Sequence, residues 1–335
     1  MTTHMRREID EIPAAVARLA APERRDALRA VAARLAALDP PALLTVARGS
    51  SDHAATYLSY AAGTALGLPV ASFPPSLVTV HEAPLRARGL AALAISQSGK
   101  SGDLVATAGA LERAGCPVVA LTNTPGSPLA RAASEVIDIA AGPERAVAAT
   151  KSFVASIVAG LWVIAFWSGD RTLEGALRAL PEALDRPDSG RGATEAVVAL
   201  AEARSAVVIG RGPGLGLAHE VALKLIETCA LPAAAYSAAE VLHGPSAILT
   251  DGHPVLALVS RPVAATAQAV ERLSAQGARV LTVGDGSATG STTGHALVDP
   301  LLAMPALYRA IEARARGLGL SPDRPQNLTK ETRTL

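Results

Sequence analysis

The sequence predicts an α/β protein built from two copies of one parallel-sheet unit. Three observations lead there. Half of the 335 residues are apolar while aromatics are only 3%, so the core is made of Ala, Val, Leu and Ile, which suits packed α/β layers. Short apolar runs alternate with helical-period segments between residues 43 and 139, as expected of parallel strands covered on both faces. The first half also recurs in the second at an offset of about 163 residues. Val46-Ala47-Arg48-Gly49 matches Ile209-Gly210-Arg211-Gly212, and Leu68-Pro69 matches Leu231-Pro232. Ala94-Ile95-Ser96 corresponds to Leu258-Val259-Ser260, and Gly115-Cys116-Pro117-Val118-Val119 to Gly277-Ala278-Arg279-Val280-Leu281.

In chain order, residues 1–40 read as helices. Ile9, Ile12, Val16 and Leu19 recur at helical spacing, and a second helix runs from Arg24 to Leu38 until Asp39-Pro40-Pro41 breaks it. Leu43 to Ala47 is a strand, Arg48 to His53 a turn, and Ala54 to Leu66 a helix. Leu68 to Ser72 is a short strand, and Leu90 to Ala94 a buried one. After the loop Ile95-Ser96-Gln97-Ser98-Gly99-Lys100-Ser101-Gly102-Asp103, a helix carries Leu104, Ala108 and Leu111 and stops at Gly115. Pro117 to Leu121 and Val136 to Ile139 are further strands. The run Val154 to Trp167 is shorter than the ~20 apolar residues a bilayer span needs, so it reads as a buried helix. The boundary between the copies falls at Pro187-Asp188-Ser189-Gly190. The chain thus divides into N-terminal helices (1–40), a first sheet unit (41–186), a second sheet unit (195–320) and a tail (321–335).

Charge and cysteine content exclude several functions. Lys plus Arg is 31 and Asp plus Glu is 30, which gives no long-range attraction for nucleic acid or an anionic membrane. Cys116 and Cys229 are the only cysteines. They form no disulfide framework, and the charged N-terminus shows no apolar leader, so a reducing cytoplasm is expected.

The Ser96–Asp103 loop lies on a strand-to-helix turn. Such a turn presents backbone N–H groups and the positive end of a helix dipole, and Ser96, Gln97, Ser98 and Ser101 add neutral donors suited to a phosphate monoester. The competing reading is a plain serine N-cap. A nucleotide P-loop is excluded, because Ala94 stands where its first glycine belongs. In the second copy, Gly210-Arg211-Gly212-Pro213-Gly214 fails the dinucleotide pattern: Leu215 or Leu217 replaces the third glycine, and Leu231-Pro232 stands where the acidic ribose ligand belongs.

On the following helix, Lys224 and Glu227 are three apart and share a face. A surface ion pair is the bland reading, but apolar Val221, Ala222, Leu223, Leu225 and Ile226 make the helix largely buried. Buried charge is costly unless paired or used. His219-Glu220 does not begin a zinc helix, because Leu223 replaces the second histidine. No metal site and no cofactor is expected. His243 precedes a Gly-Pro break in Glu240-Val241-Leu242-His243-Gly244-Pro245, and a polar, Pro-rich tail runs from Pro322 to Lys330; alone, these would be a structural loop histidine and a frayed end.

Taken together in this order, these segments resemble the sugar isomerase (SIS) domain family, and most of all the isomerase half of glutamine–fructose-6-phosphate aminotransferase and the stand-alone SIS-type glucosamine-6-phosphate deaminases. The segments carrying the resemblance include Met5 to Pro13, Gly49 to His53, Ser96 to Ser101, Ala141 to Glu144 and Val147 to Lys151. Lys224 to Glu227, Glu240 to Pro245 and the tail complete them. The resemblance implies tandem SIS subdomains, each a flavodoxin-like three-layer unit with a five-stranded parallel sheet. It implies that Ser51, Ser96, Gln97, Ser98 and Ser101 hold a hexose or hexosamine 6-phosphate and that the Val147 backbone lines the sugar. Glu227 would move the proton between C1 and C2, and Lys224 would stabilise the enediol-like intermediate. His243 would open the ring from a partner subunit, Lys330 would close over the site, and the protein would be a homodimer with shared sites. Ala149, Gln326 and Lys100 depart from the pattern, standing where a serine, an arginine and an acidic residue are usual.

The roles fit elementary chemistry. Aldose–ketose shuttling needs one carboxylate base, a cation at the developing oxyanion, a proton relay and a segment that excludes water. Met1-Thr2-Thr3-His4 leads directly into the first helix with no N-terminal cysteine nucleophile. The expected reaction is therefore glucosamine 6-phosphate to fructose 6-phosphate plus ammonia without a glutaminase domain. Other SIS chemistries stay open: isomerisation without amine loss, a fructosamine-6-phosphate deglycase, or a galactosamine-6-phosphate deaminase. A non-catalytic phosphosugar sensor is the alternative from another class. Such a sensor would not need Lys224, Glu227, His243 and Lys330, and residues 1–40 are too short and too weakly basic for a DNA-binding helix-turn-helix.

Overall fold

The computed structural model describes residues 2–186, 192–260, 264–284 and 292–330. The expected boundary at Pro187–Gly190, most of the stretch Ser260–Val263 and the last five residues of the tail lie outside the described residues. The chain forms two compact units that interleave in sequence. One comprises Ala14–Glu144 and Lys151–Arg178 and takes up the chain again from Lys330; it is called here the first-sheet unit. The second-sheet unit comprises Met1–Pro13, Arg145–Thr150 and Ala179–Thr329.

The first sheet consists of β1 (Leu43–Val46), β2 (Val70–Ser72), β3 (Ala91–Ile95), β4 (Val118–Thr122) and β5 (Glu135–Asp138). All pairs are parallel, in the order β2-β1-β3-β4-β5. This is the flavodoxin-like order, in which the chain reverses direction across the sheet between the first and third strands. Every residue of β3 and β4 is buried, because helices cover both faces of a parallel sheet; this is why these strands read as unbroken apolar runs. The helix Lys151–Ser168 packs on the helices Pro22–Leu38 and Ser50–Leu66. It has the length and apolarity to cross a bilayer, but every residue from Lys151 to Ala165 is buried. Gly160 permits the closest approach there, since a Cβ would lie 2.4 Å from Leu58 Cδ1.

The second sheet consists of β6 (Ala206–Gly210), β7 (Ala233–Ser237), β8 (Pro254–Val259) and β9 (Arg279–Gly284), all parallel, in the order β7-β6-β8-β9. The repeat read from the sequence is thus a repeat of topology. The fifth strand implied by the resemblance is absent among the described residues. Where β5 would recur, Thr293 donates through N–H and hydroxyl to Asp299 Oδ1, each at 2.7 Å. The chain turns there into the 3-10 segment Asp299–Ala303 instead of pairing.

Two helical boundaries differ from the periodicity. Ile9 and Ile12 fall on separate helices, His4–Asp10 and Ile12–Leu19, because Pro13 has no N–H to donate to the carbonyl four residues back. The helix after β1 begins at Ser50 rather than Ala54. Its first turn is Ser50-Ser51-Asp52-His53, a polar set favoured at a helix start but silent in apolar periodicity.

Candidate active site

In the first-sheet unit, the loops after β1 and β3 flank the point where the sheet order reverses, the position at which open α/β sheets take ligands. Ser51 sits in the first turn of Ser50–Leu66, and Ser96, Gln97, Ser98 and Ser101 lie between β3 and the helix Gly102–Arg113. Arg48 and Asp103 connect the two loops: Arg48 Nε donates to Asp103 Oδ2 at 3.1 Å, and that carboxylate is buried. The sequence holds no sign of this pair, whose members are 55 residues apart.

The loop is shaped by its own short bonds. Ser96 Oγ accepts from Gly99 N at 3.2 Å, and Ser98 Oγ accepts from Lys100 N at 3.3 Å. Gln97 O accepts from Asn123 N at 3.1 Å, and Gly99 O from Leu129 N at 3.0 Å, which ties the loop to the segment after β4. Gly99 has φ +63°, and a Cβ there would lie 2.1 Å from Ser127 Oγ. Ser101 occupies the N-cap position, but its side chain makes no capping bond. Leu104 N is taken by the Asp103 side chain and Val105 N by Ser101 O. The amides of Gly102 and Asp103 are left at the first turn without an intrahelical partner. Ser96 and Ser98 thus shape the loop from within, and Ser101 stands at the helix N-terminus without capping it.

In the second-sheet unit, the helix Gly214–Cys229 places Glu220, Lys224 and Glu227 along one face. The Lys224 ammonium is fully buried; it contacts Glu227 Oε2 directly and lies 3.5 Å from Glu220 Oε1. Tyr308 OH donates to the same Glu220 oxygen at 3.1 Å. The structure thus brings Lys224 and Glu227 together and adds two groups to which the sequence assigned no role. Glu220 was within reach of the i, i+4 rule, whereas Tyr308, 88 residues away, carries no sequence signal. Glu227 and Thr228 border a cleft of 520 Å³ whose other wall is the tail from Gly319 to Leu328. Cys229, the next residue on the helix, is a buried thiol; burial pushes its pKa up and outweighs the lowering by Thr228 and Arg314.

The tail is tied down through this region. Asp323 accepts from His4 N and Met5 N at 2.8 Å each, capping the first helix, while Asp323 O accepts from Val147 N at 3.1 Å. In the first-sheet unit, Lys330 Nζ donates to buried Glu144 Oε2 at 3.1 Å. The same oxygen accepts from Ser152 Oγ at 2.6 Å. His243, exposed after the 3-10 segment Glu240–Leu242, is not brought to Glu227: it lines a different cavity of the same unit, of 380 Å³. Among the described residues no cluster of His, Cys, Asp or Glu could hold a metal ion.

Known proteins share this architecture. The SIS domain family model matches residues 39–165 and 199–294. The glutamine–fructose-6-phosphate aminotransferase (isomerizing) of Symbiobacterium thermophilum is 34% identical over 308 residues, covering 85% of this chain and 50% of that protein. The chain spans about half the length of such curated relatives. A solved structure from Silicibacter pomeroyi, assigned provisionally as a phosphosugar isomerase, superposes with a TM-score of 0.86 at 46% identity, covering 96% of this chain and 100% of that one. The glucosamine-6-phosphate deaminase of Thermotoga maritima shares the fold at a TM-score of 0.76 and 22% identity, covering 99% of this chain and 100% of that one. With both sheet units matched by one family model and the sequence similarity extending across most of the chain, the protein belongs to the SIS domain family.

Proposed function

We propose that the chain is a phosphosugar isomerase that deaminates an amino sugar 6-phosphate, converting glucosamine 6-phosphate to fructose 6-phosphate and ammonia. The observation that carries this reading is the row of buried Glu220 and Lys224 ending in the partly exposed Glu227, which borders a cleft. Proton transfer at carbon needs a carboxylate base and a cation near the developing oxyanion, and Glu227 and Lys224 supply both in direct contact. Membership of the SIS family, and relatives named for fructose 6-phosphate and glucosamine 6-phosphate, support the substrate class.

In this reading Ser51, Ser96, Gln97, Ser98 and Ser101 hold the phosphate, and the Val147 backbone lines the sugar. His243 relays a proton to the ring oxygen as the ring opens. Glu227 then takes the proton from C2 of the aldehyde form, giving an enolamine, and returns a proton to C1. The resulting C2 imine adds water and releases ammonia, leaving the ketone. Lys224 stabilises the charge that develops on the C1 oxygen. Lys330 closes over the site and shields the enolamine from bulk solvent, while one water is admitted for the imine. Because His243 lines a cavity other than the one beside Glu227 in the same unit, we assign it to the site of a second copy in a homodimer.

The test is incubation with glucosamine 6-phosphate, assaying ammonia and fructose 6-phosphate together. Equimolar release of both supports the proposal, and Glu227→Gln abolishes it. No ammonia from any hexosamine 6-phosphate overturns the deaminase assignment, and turnover of fructose 6-phosphate to an aldose without ammonia replaces it by plain isomerisation. Mixing Glu227→Gln with His243→Ala subunits restores part of the activity if sites are shared. A mixture as inactive as its parents refutes the shared site.

A further inference from the structure

The two sheet units repeat one topology but handle one arginine differently. In the first-sheet unit, Arg48 follows β1 and its charge is met by buried Asp103. In the second-sheet unit, Arg211 takes the matching place after β6. The stretch corresponding to Asp103 reads Ala264-Ala265-Thr266-Ala267 and contains no acid. Arg211 Nη1 donates instead to the neutral hydroxyl of Ser237 at 3.1 Å, and no carboxylate pairs with it among the described residues. An uncompensated guanidinium therefore stands at the carboxyl ends of parallel strands, where open α/β sheets take ligands.

The 380 Å³ cavity opens at this point. Arg211 comes to it from the end of β6, His243 from the segment after β7, and Gln268 and Arg272 from one face of the helix Ala264–Ala275. Apolar contact comes from Ala238 and Leu242, and no acidic residue lines the cavity among the described residues. Two guanidinium forks without a carboxylate suit a phosphate dianion, which they bind through paired, charge-assisted N–H bonds. The Gln268 amide and the imidazole add groups that can meet hydroxyls. The volume is near the lower end of the range for small-molecule pockets, which fits a ligand of sugar-phosphate size and not a nucleotide.

We propose that the second-sheet unit carries an anion site of its own, formed by Arg211, Gln268, Arg272 and His243, that binds a small phosphomonoester in addition to the one held by the serine loop. The binding follows from this cavity alone. Its consequence, that occupancy governs the availability of His243 and makes the ligand an effector, rests on the function proposed above.

The experiment is calorimetric titration of the full chain with sorbitol 6-phosphate, an open-chain phosphomonoester with no carbonyl to isomerise. Two molecules bind per chain. Arg211→Ala/Arg272→Ala removes one of them, with at least a tenfold loss of affinity at that site, and Ser98→Ala/Ser101→Ala removes the other. Both arginines are exposed, and Arg211→Gln/Arg272→Gln, which keeps their polarity and removes their charge, gives the same loss if the wider truncation disturbs folding. Raising salt weakens the arginine site more than the serine site, since exposed charges are screened. If the arginine variants titrate like the wild type, or if the wild type binds a single molecule that the serine variant loses, the second site does not exist and the phosphosugar reading is untouched. If the serine variant keeps both molecules while the arginine variants lose one, this proposal holds and the serine loop is not the phosphate anchor.

Discussion

Gly99→Ala tests whether the serine loop is built as described. Gly99 has φ +63°, and a Cβ there meets Ser127 Oγ at 2.1 Å and Ser127 Cβ at 2.5 Å. The left-handed conformation costs an alanine about 1–2 kcal/mol, and overpacking adds about 1–3 kcal/mol. The Ser127 Cβ cannot rotate away, so the backbone must move. Gly99 N bonds Ser96 Oγ, and Gly99 O accepts from Leu129 N, so the movement displaces the loop's first hydroxyl as well. Taking about 3 kcal/mol and about 2–4 °C per kcal/mol for units of this size, Tm falls by about 10 °C, and phosphosugar affinity falls at least tenfold. Ser127→Gly removes both clashing atoms. Although Ser127 caps the helix Pro128–Ala132 through Ala130 N at 3.3 Å, replacing a cap by glycine costs only a few tenths of a kcal/mol. The double variant Gly99→Ala/Ser127→Gly therefore recovers the steric part and keeps the dihedral part. Thermal unfolding and calorimetric titration read both quantities. A Gly99→Ala protein with unchanged Tm and affinity, or no recovery in the double variant, would refute the reasoning.

Three further outcomes are expected. Lys224→Met removes the ammonium between Glu220 and Glu227 and destabilises the chain by about 3–5 kcal/mol, the usual cost of breaking a buried ion set; adding Glu220→Gln recovers part of it, and urea unfolding without such recovery would show that Glu220 is not energetically linked to Lys224. Burial lowers the pKa of His253 below its ordinary 6.5, so the unfolded chain takes up that proton first. Stability therefore falls as pH drops below about 6.5, and His253→Phe flattens this part of a Tm–pH profile; an unchanged slope would remove His253 as its cause. Burial, aided by Glu112, pushes the Cys116 thiol up to about 11, and burial also raises Cys229. At pH 8 neither reacts with iodoacetamide until guanidinium unfolds the chain, and a stoichiometric reaction of the native protein would contradict this.

Much of the fold was legible because the central strands have one dominant task. β3, β4 and β6 are buried along their whole length, and continuous burial writes itself as a continuous apolar run. The repeat was legible for the same reason, since both sheets need that run at the same spacing. The edges were less clear. A helix start such as Ser50-Ser51-Asp52-His53 is polar and carries no apolar period. The residues after Thr292 give no sign from composition that they close around Asp299 instead of adding a strand. The tail from Ser321 to Lys330 has the composition of a frayed end, yet Asp323 caps the first helix and Lys330 reaches Glu144.

The candidate site divides along the same line. By itself the sequence determined which chemical groups are available: the serines after β3 and the Lys224–Glu227 spacing on one helix face. These are local matters, set by residue identity and by periodicities of two and 3.6. Only the tertiary structure decided which groups meet. Arg48 joins Asp103 across 55 residues, Tyr308 joins Glu220 across 88, and Glu144 joins Lys330 across 186. Such pairs depend on strand order and on how helices pack over a sheet. Contacts between distant segments are fixed by the burial energy of the whole unit and leave no pattern in either segment alone.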